Sequence, residues 1–320
     1  MSDRMTAAAA APVPARAAAA VSASVAPPAA SNWGRWGRDD ERGAANFITQ
    51  DGVRDAARLA RSGKVYSLSL PVQSGNVPVL PRRAPVQHFM TLDGGDYAAG
   101  LTRAGGWQTS DDYLALPIHG TTHIDALSHV WYDDQLYNGF AGSTVRSSGA
   151  QRCGIEKLRH LVGRGVLLDL CAHQGVEALA GGQVITPADL EACAAAQGVA
   201  LCGGDIVLFR TGWRKTFAEQ GNAAFFKSEP GLGIEAAEWV GRSRFAGVGS
   251  DNFGIEVIPV EGDRPGPVHR RLIRDFGVYL LELLDLDELA RDRTYEFLFV
   301  AAPLMIAGGT GSPLNPLAIS

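Results

Sequence analysis

Short apolar runs alternate with helical segments along most of the chain, and this alternation restricts the fold more than any other feature. Residues 165–170 and 205–210 are apolar runs of strand length. Between them, Thr186-Pro187-Ala188-Asp189 has the order of a helix start: a capping hydroxyl, Pro at the first helical position and an acid in the first turn. The helix is expected to end at Gly198. Further strand-like runs lie at 245–249, 278–281 and 297–300. The pattern predicts an α/β domain.

The first 31 residues differ in composition from the rest. Ala and Pro dominate residues 1–31 and large apolar side chains are almost absent, so ordering this segment would bury little apolar surface. We therefore predict a disordered tail at 1–31 and one folded domain at 32–320. That domain is expected to begin with a helix at 49–62, ended by Gly63, and a strand at 65–70.

Composition excludes several functional classes. The chain has 320 residues, 46% of them hydrophobic, which suffices for one large core. Its net charge of −5 provides no basic face for nucleic acid or anionic lipid. No apolar run reaches the roughly 18–20 residues that span a bilayer. The four cysteines lack C-x-x-C spacing, which favours buried free thiols in a reducing cytoplasm. We expect a cytoplasmic protein that binds neither nucleic acid nor membranes.

Three of the seven histidines fall within eleven residues, with Asp125 among them: His119-Gly-Thr-Thr-His123-Ile-Asp125-Ala-Leu-Ser-His129. A helix, at about 100° per residue, would place His119 and His123 on one face and Asp125 and His129 nearly opposite. In an extended chain all four side chains point the same way. The spacing therefore favours an extended segment.

Full extension would hold His119 and His123 about 13 Å apart, too far to share an ion with bonds near 2.1 Å. We therefore expect the chain to curl between them, with Gly120 providing the freedom to do so. His123 and Asp125 converge directly on one strand face. Imidazole and carboxylate together suit Zn²⁺ or Mn²⁺. The alternative is a set of unconnected surface or core histidines.

Glu282 lies in the apolar run 278–286, where a carboxylate is unexpected. A buried carboxylate is usually paired or bound to metal. His269, thirteen residues earlier, stands at the start of a predicted helix. Two readings stay open: a metal-binding Glu282, or an ion pair with Arg271 or Arg274.

Other catalytic motifs are missing or incomplete. The chain has no G-x-S-x-G nucleophile elbow and no Walker-type phosphate loop. Gly308-Gly-Thr-Gly311 follows a strand, but no helix and acidic residue come after it, so it is not a dinucleotide fingerprint.

The histidine segment resembles the core of the cyclase family, the superfamily of bacterial kynurenine formamidase and isatin hydrolase. The H-x-x-x-H-x-D-x-x-x-H pattern of residues 119–129 is its specific part. Supporting segments of the resemblance are Asn32-Trp-Gly-Arg-Trp-Gly37, Gly204-Asp-Ile-Val-Leu-Phe-Arg-Thr-Gly-Trp213 and Gly308-Gly-Thr-Gly-Ser-Pro313. The resemblance implies a swivelling β/β/α domain with a mixed sheet, assembled as a homodimer or homotetramer.

By that resemblance, His119, His123 and Asp125 are metal ligands and His129 is the catalytic acid/base. His269 and Glu282 match a downstream pair that completes a second metal position. Glu282 is thus a candidate both as a ligand and as a catalytic residue that orients water.

The implied activity is a metal-dependent hydrolase that acts on a non-peptide C–N bond (amide, imide or lactam) of a small, cyclic or aromatic molecule. One or two Zn²⁺ or Mn²⁺ ions would lower the pKa of bound water from about 15.7 to about 7, and His129 would move the protons. Two alternatives remain: a metal-assisted cyclase or dehydratase, and a metal-binding ligand module without turnover.

Overall fold

A nine-stranded sheet forms the centre of the protein. The computed structural model describes residues 27–320, so the predicted tail at 1–31 lies mostly outside the described residues. The strands in chain order are β1 (Val65–Ser67), β2 (Gln87–Leu92), β3 (Asp111–Ala115), β4 (His123–Asp125), β5 (Val145–Arg146), β6 (Gly149–Ala150), β7 (Leu161–Asp169), β8 (Val184–Ile185), β9 (Ile206–Arg210), β10 (Gly231–Leu232), β11 (Gly247–Ser250), β12 (Tyr279–Glu282), β13 (Glu296–Ala301), β14 (Gly311–Pro313) and β15 (Leu317–Ile319).

The central sheet is mixed, with the order β1-β15-β13-β7-β9-β11-β12-β4-β14. β7, β9, β11 and β12 run parallel, whereas the strands on either side of them pair antiparallel. The pairs β2–β3, β5–β6 and β8–β10 form separate two-stranded ladders. The predicted α/β fold with a mixed sheet is confirmed.

Eight helices occur among residues 27–320, and those between Leu170 and His269 lie between the parallel strands along the chain. They are α1 (Gln50–Ala57), α2 (Gly94–Ala98), α3 (Leu170–Gln174), α4 (Pro187–Gln197), α5 (Arg214–Phe225), α6 (Ile234–Arg242), α7 (Pro267–His269) and α8 (Asp287–Arg291), together with a π-helical turn at Arg270–Phe276. Short 3₁₀ turns occur at Gly43–Phe47, Ala104–Gly106, Tyr137–Gly139, Gly142–Thr144 and Ile155–Lys157. No helix among residues 27–320 is long and apolar enough to cross a membrane.

Local sequence signals place the helix starts better than their ends. Thr186 caps α4 in a capping box with Asp189, and Gly198 ends it in the left-handed conformation, as predicted. α1 begins at Gln50, one residue after the predicted start, with Thr49 as its cap, and ends at Ala57, earlier than expected. Beyond it, the amides of Ser62 and Gly63 donate to the carbonyl of Ser320. This long-range contact takes the backbone groups that a longer helix would need.

Buried side chains form one extended core along the sheet and a smaller cluster beside β12. The smaller cluster consists of Leu70, Val77, Trp213, Phe225 and Leu283. It ties the irregular segment 70–86 to the end of β12, because Leu70 and Val77 belong to that segment. The prediction of buried thiols holds for three cysteines but is wrong for Cys202, which is exposed.

Candidate metal centre

Two neighbouring strands bring the first candidate residues together. β4 carries His123 and Asp125, and in the antiparallel ladder Glu282 of β12 stands directly opposite His123. Directly opposed residues share a sheet face, so Glu282 reaches His123, with Oε2 3.1 Å from Nε2. All three are buried, with exposed fractions of 0% for His123, 1% for Asp125 and 4% for Glu282.

A tight turn brings His119 back over the strand. The amide of Gly120 donates to the carbonyl of Pro117 at 3.1 Å, and the predicted curl is present. His119 Nδ1 lies 2.8 Å from Asp125 Oδ1. Gly120 serves here through its small size, because a Cβ would lie 3.0 Å from the Pro117 carbonyl. A positive φ is not what the turn requires.

The segment after β13 completes the surroundings of His119. Gly311 stands opposite Asp125 in the β4–β14 ladder, and a Cβ at Gly311 would lie 2.7 Å from His119 Cε1. Thr310 Oγ1 is 3.2 Å from His119 Nε2. The glycine-rich stretch 308–311, which is not a dinucleotide fingerprint, therefore makes room for the His119 ring.

Gly311→Ala is expected to weaken metal binding roughly 10–100-fold, the usual cost of disturbing the support of a ligand. The added methyl group would push the His119 ring away from Asp125. Isothermal titration of the metal-free protein with Zn²⁺ measures the effect. Gly94→Ala is the matched control, since nothing lies within 4 Å of a Cβ there, and wild-type affinity in both variants would contradict the role of Gly311.

His129 joins the cluster by a turn. The strand ends at Asp125, and the amide of His129 donates to the carbonyl of Ala126 at 2.9 Å. The expectation that the extended chain continues to His129 is therefore wrong, because Ala126 pairs with Thr310 and the chain then folds back. The His129 ring stacks on His119 with 3.9 Å between centroids.

His269 enters from the helical side. It is the last residue of α7, and its Nε2 lies 3.1 Å from Glu282 Oε1 and 3.8 Å from Asp125 Oδ2. The alternative in which Glu282 pairs with an arginine is wrong. Arg271 binds Glu238 and Asp275, and Arg274 binds Gln135 and Asp275.

The charges of the cluster are strongly coupled. Burial raises the pKa of Asp125 and of Glu282, but the surrounding histidines outweigh it and hold both pKa values below the usual range. Burial lowers the pKa of His123 and His269, yet the nearby carboxylates raise both above normal. For His129 burial prevails and lowers the pKa to about 4. The cluster therefore favours ionised acids, positive charge beside them and a neutral His129.

This donor set fits a divalent cation. Among residues 27–320, buried Asp125 Oδ2 has no hydrogen-bond partner, and buried His123 Nε2 faces Glu282 Oε2 at 3.1 Å without the geometry of a hydrogen bond. An unpaired buried polar atom is costly unless a ligand satisfies it. Two groups of residues could each hold an ion, because within each group the donor atoms lie within 4.8 Å of one another. One group is His119, Asp125 and His129, and the other is Asp125, His269 and Glu282. Asp125 belongs to both. A cation held by the second group would compete with protons for the His269 imidazole.

Comparison with known protein families identifies the family of this chain. Residues 66–257 match the model of the Cyclase family, whose description is "Putative cyclase". The match covers more than half of the chain. The chain belongs to the Cyclase family. The resemblance inferred from the His/Asp pattern is confirmed.

Several known proteins resemble this chain in sequence or in structure. A solved structure described as a novel cyclase is 42% identical, with a TM-score of 0.85 over 91% of this chain and 98% of that one. Isatin hydrolase of Roseibium aggregatum is 28% identical over 215 residues, which are 65% of this chain and 74% of that protein. Isatin hydrolase A of Ralstonia solanacearum is 23% identical, with a TM-score of 0.59 over 83% of this chain and 95% of that one, and shows the shared fold.

Three further residues at the centre escaped the sequence analysis. Glu256 Oε1 lies 2.6 Å from His269 Nδ1, Arg83 donates to the carbonyl of His119, and Thr310 contacts the His119 ring. The signal that singled out Glu282 applies to Glu256 as well, since it stands among apolar neighbours in Ile255-Glu-Val-Ile258. Thr310 lies in the segment 308–313 that supports the family resemblance, whereas Arg83 carries no comparable signal because it reaches the site through the tertiary fold.

Proposed function

We propose that this Cyclase-family protein is a metal-dependent hydrolase that cleaves a non-peptide C–N bond of a small amide, imide or lactam. The observation that carries the proposal is the set of buried imidazoles and carboxylates around His123 Nε2 and Asp125 Oδ2, neither of which has a hydrogen-bond partner of good geometry among residues 27–320. His129, whose pKa is lowered to about 4 by burial, stands beside them. A purely structural metal site needs no such additional base.

The proposed ligands are His119, His123, Asp125, His269 and Glu282, for one or two Zn²⁺ or Mn²⁺ ions. The mixed nitrogen and carboxylate donors suit these metals. Bound metal would supply a Lewis acid for the substrate carbonyl and acidify a water molecule. The protein's own part is to keep Asp125 and Glu282 ionised in a buried cluster, where their charge attracts the cation.

His129 is the proposed proton carrier. With its pKa lowered to about 4 by burial, the imidazole is neutral near pH 7 and its free nitrogen accepts a proton from water. It then returns the proton to the leaving nitrogen, which makes the amine a better leaving group. Glu282, paired with both His123 and His269, is proposed to hold the second donor group in place and orient the water.

Relatives guide the choice of substrates. Two of the proteins compared above are named isatin hydrolases, and isatin contains a lactam. The metal-loaded protein should therefore be incubated with lactams including isatin, cyclic imides, N-formyl aromatic amines, linear amides and a peptide. Mass spectrometry of the products shows whether one water is gained.

The outcomes distinguish the candidate functions. Hydrolysis of a lactam, imide or amide, with no cleavage of the peptide, supports the proposal. Loss of one water, with ring closure, would identify a cyclase or dehydratase instead. Binding without any product in the presence of tightly held metal would identify a non-catalytic module.

We also propose that the substrate is a small molecule and that the protein forms a homodimer or homotetramer. Light scattering measures the oligomeric state.

A further inference from the structure

Glu256 stands behind His269, on the side away from the other candidate ligands. Its side chain is buried, with 5% of the residue exposed. Oε1 accepts a hydrogen bond from His269 Nδ1 at 2.6 Å, and Oε2 accepts one from the amide of Val268 at 3.1 Å. One carboxylate thus holds both the imidazole ring and the backbone of the helix that carries it.

The contact at Nδ1 leaves Nε2 for the metal centre. His269 Nε2 faces Glu282 Oε1 at 3.1 Å and Asp125 Oδ2 at 3.8 Å. An imidazole that donates its other N–H to a carboxylate is held in one tautomer and one orientation, and it becomes a more basic metal ligand. Gly231 packs closely against the backbone of Glu256, because a Cβ at position 231 would lie 2.4 Å from that backbone.

We infer that Glu256 is the positioning residue for His269 and sets the metal affinity of the group formed by Asp125, His269 and Glu282. It does not touch the other group, which contains His119 and His129. If two ions bind, the one held by His269 is the one that Glu256 affects directly. The inference concerns a residue outside the proposed ligand set, although it rests on His269 being a ligand.

The test compares Zn²⁺ titrations of Glu256→Leu, Glu256→Gln and wild type. Leu removes both acceptor oxygens, and we expect the affinity of one binding step to fall about 10–100-fold. Gln keeps an acceptor but loses the charge, so the loss should be smaller. Glu261→Gln is the matched control, since Glu261 also accepts from a helix-start amide, that of Ile234, without touching a histidine.

A second readout reports the ring itself. In the Zn²⁺-loaded protein, the His269 Nδ1 proton should give a downfield NMR signal that is absent from His269→Gln and lost in Glu256→Leu. Wild-type Zn²⁺ affinity in both Glu256 variants would overturn the inference. So would an equal loss in Glu261→Gln, because the effect would then come from the helix start alone.

Arg83 presents a different observation at the same centre. Its half-buried guanidinium donates through Nη1 to the carbonyl of His119 and lies over the Phe253 ring, 5.5 Å from the centroid. The segment that carries it is anchored by Asn222, which exchanges hydrogen bonds of 2.8 and 2.7 Å with the backbone of Val79. Arg83 is therefore held in place by the fold.

The remaining donors of Arg83 have no acceptor among residues 27–320. Asp125 and Glu282 are engaged by His119, His123 and His269. A guanidinium has five N–H donors in a planar fork that matches a carboxylate. Once a cation balances the acidic ligands, the positive charge of Arg83 attracts an anion.

We propose that Arg83 forms a carboxylate subsite beside the metal centre, so that substrates or their hydrolysis products carry a carboxylate. This deepens the proposed function, because it takes the metal centre as the place of reaction. Charge-assisted hydrogen bonds contribute about 1.5–3 kcal/mol, which corresponds to roughly a 10–150-fold change in affinity.

The probe is benzoate, with neutral benzamide for comparison, titrated into the Zn²⁺-loaded protein. At equal Zn²⁺ occupancy, Arg83→Met should weaken benzoate binding at least about tenfold, and Arg83→Lys should weaken it less. The control is Arg82→Met, at the exposed neighbouring arginine, which should bind benzoate as the wild type does. Failure of the wild type to prefer benzoate, or equal binding by Arg83→Met, overturns the subsite. Arg83-dependent binding with no hydrolysis of any panel compound would overturn the proposed function alone.

Discussion

Asp125→Asn is expected to empty the metal centre and reduce turnover to background. Asp125 belongs to both groups of candidate donor atoms, and its buried Oδ2 has no hydrogen-bond partner in the part of the chain that the structure describes. Removing its charge leaves Glu282 as the remaining acid of the two donor groups. We therefore expect metal affinity to fall by more than about 100-fold, beyond what the loss of an outer-shell contact costs.

Elemental analysis of the purified variant, together with Zn²⁺ titration, measures the effect. Asp112→Asn is a matched control on the exposed β2–β3 ladder, where the Asp112 side chain is 61% exposed. It should keep wild-type metal and activity. Full occupancy in Asp125→Asn would show that the ion lies elsewhere or is held by the histidines and Glu282 alone.

His129→Asn is expected to keep metal at wild-type stoichiometry while kcat falls about 10²–10⁴-fold, the usual contribution of a positioned general acid or base. His129 offers a nitrogen close to His119 and Asp125, so the structure also allows it to act as a ligand. Metal content separates the two roles. His160→Asn, at an exposed histidine, is the matched control and should behave as wild type.

The pH dependence gives an independent check on His129. Burial lowers its pKa to about 4, so the imidazole is neutral above that value and protonated below it. The rate should therefore fall as the pH drops through about 4, and this limb should be absent in His129→Asn. Metal content must be measured at each pH, because protons also compete for the ligands. Near-normal kcat in a metal-loaded variant would leave proton transfer to another group, with Glu282 the next candidate.

Local features of the sequence determined the elements and half of the candidate site. The capping box of Thr186 and Asp189 and the apolar runs of β7, β9 and β13 depend on neighbours a few residues away, and these predictions are confirmed. The placement of His123 and Asp125 on one face of the same strand also follows from neighbouring residues alone. The curl at Gly120 followed from the separation of His119 and His123 in an extended chain, because two ligands of one ion must lie close to each other.

Only the tertiary structure decided how distant residues complete the centre. The antiparallel register places Glu282 opposite His123 and Gly311 opposite Asp125, and a slip by one residue would turn the Glu282 side chain to the other face. Glu256 reaches His269, and Arg83 reaches His119, through segments that share no local pattern. The turn after Asp125 belongs to the same class, because Ala126 pairs with Thr310, far along the chain. Strand pairing and packing of the whole core set these contacts, since their energies depend on residues that meet only once the chain has folded.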